Sequence, residues 1–152
     1  MKHRILILMC CALASVSVAQ AQQSYYLTAA LSYPLNFSLG VGFEDALGGG
    51  GDVRVLAILT ETSQFGVSIN ALIPPPLETP TNVDLYIALG PYFSMENSGA
   101  FVSRFEMTGG ASLRLSDIEA PVSLFAEGGF FAPIVGTSET NFLIRGGFNI
   151  HF

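Results

Sequence analysis

Apolar and polar residues alternate along most of the chain, and the alternation is clearest over its last eleven residues. One face of this segment carries Phe142, Ile144, Gly146, Phe148, Ile150 and Phe152, whereas the other carries Leu143, Arg145, Gly147, Asn149 and His151. Successive side chains of an extended chain point to opposite sides, so a period of two predicts a β-strand with one apolar face.

The same alternation recurs in seven earlier segments, which together predict eight strands. With the last one, the eight segments are residues 24–33, 36–43, 52–60, 64–73, 83–93, 105–115, 122–130 and 142–152. The connections between them are residues 34–35, 45–51, 61–63, 74–82, 94–103, 116–121 and 133–139, all short enough for antiparallel turns or loops. The predicted fold class is therefore all-β, with sequential antiparallel strands.

The polar faces of these strands decide which side lies inside. They consist mostly of Ser, Thr, Gly, Asn and Tyr, with only one or two charges in each strand. A water-facing protein surface normally carries many Lys and Glu side chains. We therefore expect the apolar faces to meet lipid, and strands can span a bilayer only as a closed barrel. The alternative is a soluble, lipocalin-like periplasmic barrel that binds a ligand and has its apolar faces turned inward.

The first 21 residues have the form of a secretory signal peptide. Basic residues at positions 2–4 precede an apolar run over positions 5–18, and Ala19-Gln20-Ala21 has the small-x-small form of a cleavage site. The expected domains are thus a signal peptide over residues 1–21 and a barrel over residues 22–152.

Removal of the signal peptide changes the charge of the chain. The full chain has a formal charge of −6. Residues 22–152 contain no Lys or Cys, and four Arg against twelve acidic residues give −8. This charge excludes binding to a nucleic-acid backbone, and the absence of Cys excludes disulfides and thiol chemistry from the exported part.

Two further features lead to a resemblance. On the apolar faces, aromatic residues lie near strand ends, as in the girdles of membrane barrels: Tyr25, Tyr33, Phe37, Phe43, Phe65, Phe93, Phe105, Phe130, Phe142 and Phe152. The chain also ends on Phe152 after alternating Phe142, Ile144, Phe148 and Ile150. It resembles the small eight-stranded outer-membrane barrels of the OmpA transmembrane domain and OmpX type. This resemblance implies a Gram-negative outer membrane, contact with its lipid, a C-terminal signal for the barrel-assembly machinery, and a monomer.

An eight-stranded barrel has an interior just wide enough to be filled by side chains. If three hairpins turn about Gly136, Gly99 and Thr62, they pair Glu127 with Arg145, Asp84 with Arg114, and Arg54 with Asn70. An unpaired buried charge is costly, so paired charges suit a lumen of low dielectric constant. These pairs are expected to hold and plug the barrel, which favours a structural role in the envelope. The alternative is that they gate a narrow pore for small solutes or apolar molecules.

The sequence offers little chemistry beyond these charges. His151 is the single His after the signal peptide, and no Ser lies beside it in sequence, so catalysis is not expected. Glu44, Asp45 and Asp52 form at best a weak cation site near the glycine run at positions 48–51, which we interpret as a flexible linker. No cofactor is expected.

The predicted topology puts both termini in the periplasm. The first and third connections then face outward, yet both are tight, whereas outer loops of such barrels are usually long. A role in adhesion or extracellular recognition is therefore not favoured.

Overall fold

The chain folds into eight strands in the computed structural model, which describes residues 24–60, 64–95, 99–115, 121–134 and 140–152. The predicted signal peptide over residues 1–21 lies outside these residues, as do Thr62 and Gly136. None of the described residues belongs to a helix that is long and apolar enough to cross a membrane. The strands are β1 (Tyr25–Tyr33), β2 (Asn36–Gly48), β3 (Gly51–Thr60), β4 (Phe65–Ile73), β5 (Val83–Met95), β6 (Phe101–Arg114), β7 (Val122–Pro133) and β8 (Asn141–His151).

The eight strands form a closed barrel in which each strand pairs with the next one along the chain. Pairing of β1 with β8 closes the barrel, with Ala29 opposite Phe148 and Leu31 opposite Gly146. All eight pairings are antiparallel, so the topology is up-and-down. The predicted all-β architecture of eight antiparallel strands is therefore confirmed.

The polar faces of the strands point into the barrel and the apolar faces point outward. Ser38, Ser68 and Ser123 are fully buried inside, whereas Leu31 and Ile144 on the outer surface are 58% and 52% exposed. A soluble, lipocalin-like barrel would need the reverse arrangement, because its apolar faces line the interior. That alternative is wrong for this structure.

The connection between β2 and β3 is shorter than the sequence predicted. Strand β2 continues to Gly48 and β3 begins at Gly51, so only Gly49 and Gly50 separate the two strands, and the glycine run at positions 48–51 is not a flexible linker. Gly48, Gly49 and Gly50 all have positive φ angles of 65–81°, which glycine adopts without the steric penalty of a Cβ. Consecutive glycines therefore allow a tight turn here.

Two acidic side chains hold this turn. The backbone N–H of Gly50 donates a hydrogen bond to Asp45 Oδ1 at 2.7 Å, and that of Asp45 donates to Asp52 Oδ1 at 3.0 Å. The strand register shifts between Phe43 and Gly48, and Asp45 itself has a positive φ of 51°. Asp45 and Asp52 are thus engaged with backbone groups, and no group of three or more His, Cys, Asp or Glu suited to a metal ion occurs within the described parts of the chain.

Each of the last three strands contains two consecutive glycines, of which one faces into the barrel and the other faces outward. A Cβ on Gly129 or Gly147, which point inward, would collide with backbone atoms of the neighbouring strand. A Cβ on Gly109 or Gly128, which point outward, would meet no atom within 4 Å. The inward glycines are therefore required by crowding, whereas the outward ones are not.

Candidate functional site

Four charged side chains meet at the centre of the barrel, and we call them the lumenal cluster: Arg54, Glu106, Glu127 and Arg145. Arg54 Nη1 lies 2.6 Å from Glu127 Oε1, and Arg145 Nη1 lies 2.8 Å from Glu106 Oε1 and 3.1 Å from Glu127 Oε2. All four are buried, at 3% exposure or less. The cluster therefore contains two positive and two negative charges in direct contact, with no net charge.

Each member of the cluster comes from a different strand. Glu127 of β7 lies opposite Arg145 of β8 in the strand register. Glu106 comes from β6, and Arg54 reaches across the lumen from β3, which is not a neighbour of β7. The ion pairs therefore join opposite walls of the barrel as well as adjacent strands.

Uncharged neighbours complete the environment of the two carboxylates. The Tyr86 hydroxyl donates to Glu127 Oε1 at 2.9 Å, and the Ser68 hydroxyl donates to Glu106 Oε2 at 2.6 Å. The Arg54 guanidinium lies 5.5 Å from the centroid of the Phe125 ring, within the range of a cation–π contact. These contacts compensate part of the free energy needed to bury four charges.

Cavities lie on the two sides of the lumenal cluster. The larger, about 500 Å³, lies at the barrel end where β1 begins and β8 ends, and Arg54 is part of its wall. We call it the terminal vestibule, lined by Tyr26, Glu44, Asp52, Tyr86, Arg114 and His151 among others. The smaller cavity, about 160 Å³, is lined by Arg145 together with Tyr92 and Arg104. The cluster therefore stands between the two cavities.

The three predicted lumenal pairs have different outcomes. Glu127 and Arg145 lie opposite each other and are in contact. Arg54 lies opposite Asn70, as the register predicts, but its ion pair is with Glu127. The pairing of adjacent strands could therefore not identify the ion-pair partner of Arg54, because that partner lies on the opposite wall of the barrel.

The predicted placement of Asp84 opposite Arg114 is wrong. Asp84 lies opposite Ser112, because the β5–β6 connection closes with Met95 opposite Phe101 and not opposite Ser103, as a turn about Gly99 would require. Arg114 Nε still reaches Asp84 Oδ2 at 2.9 Å along the diagonal. This pair is more than half exposed on both sides, so it lies at the barrel end rather than in a buried lumen.

The residues predicted to form the C-terminal insertion signal lie on the outer face of β8 or directly after it. Phe142, Ile144, Phe148 and Phe152 are exposed, and Ile150 is half-buried. The ring of Phe152 stacks on Tyr25 of β1 with centroids 5.3 Å apart. The last residue of the chain therefore contacts the first strand, next to the closing β1–β8 seam.

Sequence reasoning missed a second polar group, at the edge of the terminal vestibule. Ser123 Oγ lies 2.9 Å from His151 Nε2, and His151 Nδ1 lies 2.6 Å from Glu44 Oε1. Ser123 is not adjacent to His151 in the chain but lies on the neighbouring strand β7. The predicted β7–β8 register contained the signal, because Ser123 lies opposite Asn149 and His151 is the next inward residue.

Comparisons with known proteins give fold relatives but no family. No protein family and no curated protein matches the chain. A solved structure titled "De novo design of transmembrane beta-barrels" superposes with a TM-score of 0.55 at 10% identity, over 88% of this chain and 98% of the designed one. The solution NMR structure of the de novo designed protein TMB2.3 gives 0.56 at 12% identity, over 86% and 93%. The chain is therefore similar in fold to designed transmembrane β-barrels.

Proposed function

We propose that this protein is an integral outer-membrane β-barrel with a structural role in the envelope and a lumen closed by the lumenal cluster. The observation that carries the proposal is the outer surface of the barrel. Large apolar side chains are exposed on all eight strands, among them Leu31, Leu39, Leu59, Ile69 and Ile87. Soluble monomers rarely expose contiguous apolar patches above a few hundred Å², so a lipid environment accounts for this surface.

The closed architecture supports the same proposal. A bilayer core offers no water to the backbone, so every N–H and C=O must find a partner within the protein. The closed ring of strand pairings supplies these partners, because it leaves no free sheet edge. The signal-peptide pattern over residues 1–21 provides export, and the terminal Phe152 provides the recognition feature for the assembly machinery.

The lumenal cluster supports a closed interior. Its four side chains join β3, β6, β7 and β8 between the two cavities. Moving one of these side chains away would leave a buried charge without its partner, which is costly. We therefore propose that the cluster braces the barrel, which acts as a monomer with lipid as its main partner.

Cell fractionation combined with a heat-modifiability gel tests this proposal. The protein is expected in the outer-membrane pellet, to require detergent for extraction, and to run at a different position when it is unheated. Recovery in the soluble periplasmic fraction, without any shift on heating, would refute the proposal. The same gel assay reports folding of every variant described below.

A gated pore is the second candidate function. The specific observation in its favour is that cavities lie on both sides of the lumenal cluster, with Arg54 lining one and Arg145 lining the other. In such a pore, Glu127 would give up its contact with Arg54 or Arg145, and the resulting opening would join the two cavities into a narrow path. Conductance measurements separate this function from the closed barrel.

A further inference from the structure

Ser123, His151 and Glu44 form a continuous relay of hydrogen bonds. Ser123 comes from the start of β7, His151 from the end of β8, and Glu44 from β2. The two contacts measure 2.9 and 2.6 Å. A hydroxyl within hydrogen-bond reach of a base, which is in turn oriented by a third group, is the arrangement of an activated nucleophile.

The neighbouring side chains fix the direction of this relay. Thr28 Oγ1 donates to Asn149 Oδ1 at 2.7 Å, so the amide of Asn149 points its Nδ2 toward Ser123 Oγ, at 3.2 Å. A carboxylate only accepts hydrogen bonds, so His151 Nδ1 carries the proton shared with Glu44. In the neutral ring, Nε2 is then the acceptor for the Ser123 hydroxyl. Each donor in the relay thus has one acceptor.

The relay borders a cavity of suitable size. His151, Glu44 and Asn149 line the terminal vestibule, whose volume of about 500 Å³ is within the range of small-molecule sites. Ser123 itself is fully buried, directly behind His151 and Asn149. A ligand in the vestibule therefore reaches the hydroxyl when Asn149 swings aside while His151 keeps its contact with Ser123.

We propose that Ser123 is a nucleophile for acyl transfer from small carboxylic esters that enter the terminal vestibule. Ser123 Oγ forms a bond to the acyl carbon while its proton passes to His151 Nε2. The ester C–O bond then breaks, and the leaving alcohol takes this proton. Water attacks the acyl-serine, gives a proton to His151, and releases the carboxylic acid as Ser123 regains its proton. Glu44 is a positioning residue that stabilises the imidazolium.

The walls of the vestibule define the substrate class. The four carboxylates that line it, Glu44, Asp45, Asp52 and Asp84, outnumber its two arginines, Arg54 and Arg114, so an anionic ester is repelled and an uncharged or cationic one is favoured. Leu72, Leu77 and Leu85 add apolar surface to the same cavity.

The test uses the folded full-length barrel, purified in detergent, with diisopropyl fluorophosphate as a small probe of activated serines. Peptide mass mapping is expected to find one adduct, on Ser123. 4-Nitrophenyl acetate is expected to be hydrolysed, with a rate that falls by at least about 100-fold in Ser123→Ala and in His151→Gln. Ser38→Ala is the matched control, because Ser38 is fully buried inside the barrel like Ser123 but does not line the vestibule, and its rate should equal that of wild type.

Glu44 is tested with two substitutions of different character. Glu44→Gln keeps the shape but loses the charge, so the rate should fall, whereas Glu44→Asp keeps the charge and should retain more of the rate. Absence of an adduct on a barrel that still shows heat modifiability would overturn the proposal. An equal rate in wild type and Ser123→Ala would also overturn it, and the relay would then only tie together the strand ends.

Discussion

Arg54 of β3 and Glu127 of β7 form a 2.6 Å ion pair across the lumen, although their strands are not neighbours in the barrel. Glu127 also contacts Arg145 on the adjacent strand. One carboxylate therefore holds two buried guanidinium groups, one on each side. The stability of the barrel should depend strongly on this single side chain.

Loss of the Glu127 charge should destabilise the barrel. In Glu127→Gln, Arg54 loses its ion pair and Arg145 keeps only Glu106, so buried positive charge is left uncompensated. We expect the free energy of unfolding to fall by about 3–5 kcal/mol. Urea unfolding of the lipid-reconstituted barrel, followed by the heat-modifiability gel, measures this change.

Asp84→Asn is the matched control for that experiment. It removes one carboxylate from an ion pair with Arg114 that is exposed, so the change should be at most about 1 kcal/mol. Equal effects of the two substitutions would mean that the lumenal cluster does not brace the barrel.

The closed lumen predicts the absence of steady conductance. Wild-type protein and Asp84→Asn, reconstituted in planar bilayers, should carry no sustained current, because the lumenal cluster separates the two cavities. A wild-type current that changes in Glu127→Ala would contradict the closed lumen and favour the gated pore.

Gly90 and Gly109 should respond in opposite ways to a methyl group. A Cβ on Gly90 would collide with the carbonyl oxygen of Ile69 on β4, whereas a Cβ on Gly109 would point into open space. Gly90→Ala should lower the free energy of unfolding by about 1–3 kcal/mol or prevent folding. Gly109→Ala should be neutral or raise it by up to about 1 kcal/mol. Comparable losses in both variants would show that crowding inside the barrel is not the cause.

A charged side chain placed on the outer surface should oppose folding of the barrel into lipid. Ile87 is exposed on the outer face of β5, so Ile87→Arg should oppose folding into lipid vesicles by about 2–4 kcal/mol if the residue lies near the bilayer midplane. Leu77→Arg is the control, because Leu77 is exposed in the β4–β5 connection outside the strands and should tolerate the charge. Equal folding yields of Ile87→Arg and wild type would argue against lipid contact at this face.

The strands and their two faces could be predicted from the sequence, because the alternation of apolar and polar residues shows directly which side chains share a face. Adjacent-strand register could be predicted only where the hairpin is symmetric about the assumed turn. This assumption held for Glu127 opposite Arg145 and failed by two residues for Asp84, because the connection closes earlier than a turn about Gly99 would.

Contacts across the lumen were beyond sequence reasoning. The Arg54–Glu127 pair depends on how the barrel closes and how far its strands are staggered, which no local pattern encodes. The Ser123–His151 contact was accessible in principle, since it follows from the β7–β8 register. Glu44 was not, because the sequence pattern placed the end of β2 at residue 43, before this side chain.

The claim that the apolar outer face meets lipid is tested most directly by quenching from within the bilayer. After signal removal the predicted chain has no Cys, so a single fluorophore can be attached to Ile87→Cys or to Leu77→Cys in the reconstituted barrel. With lipids brominated along their acyl chains, we predict strong quenching at position 87 and little at position 77. Equal, weak quenching at both positions would contradict a barrel that spans the membrane.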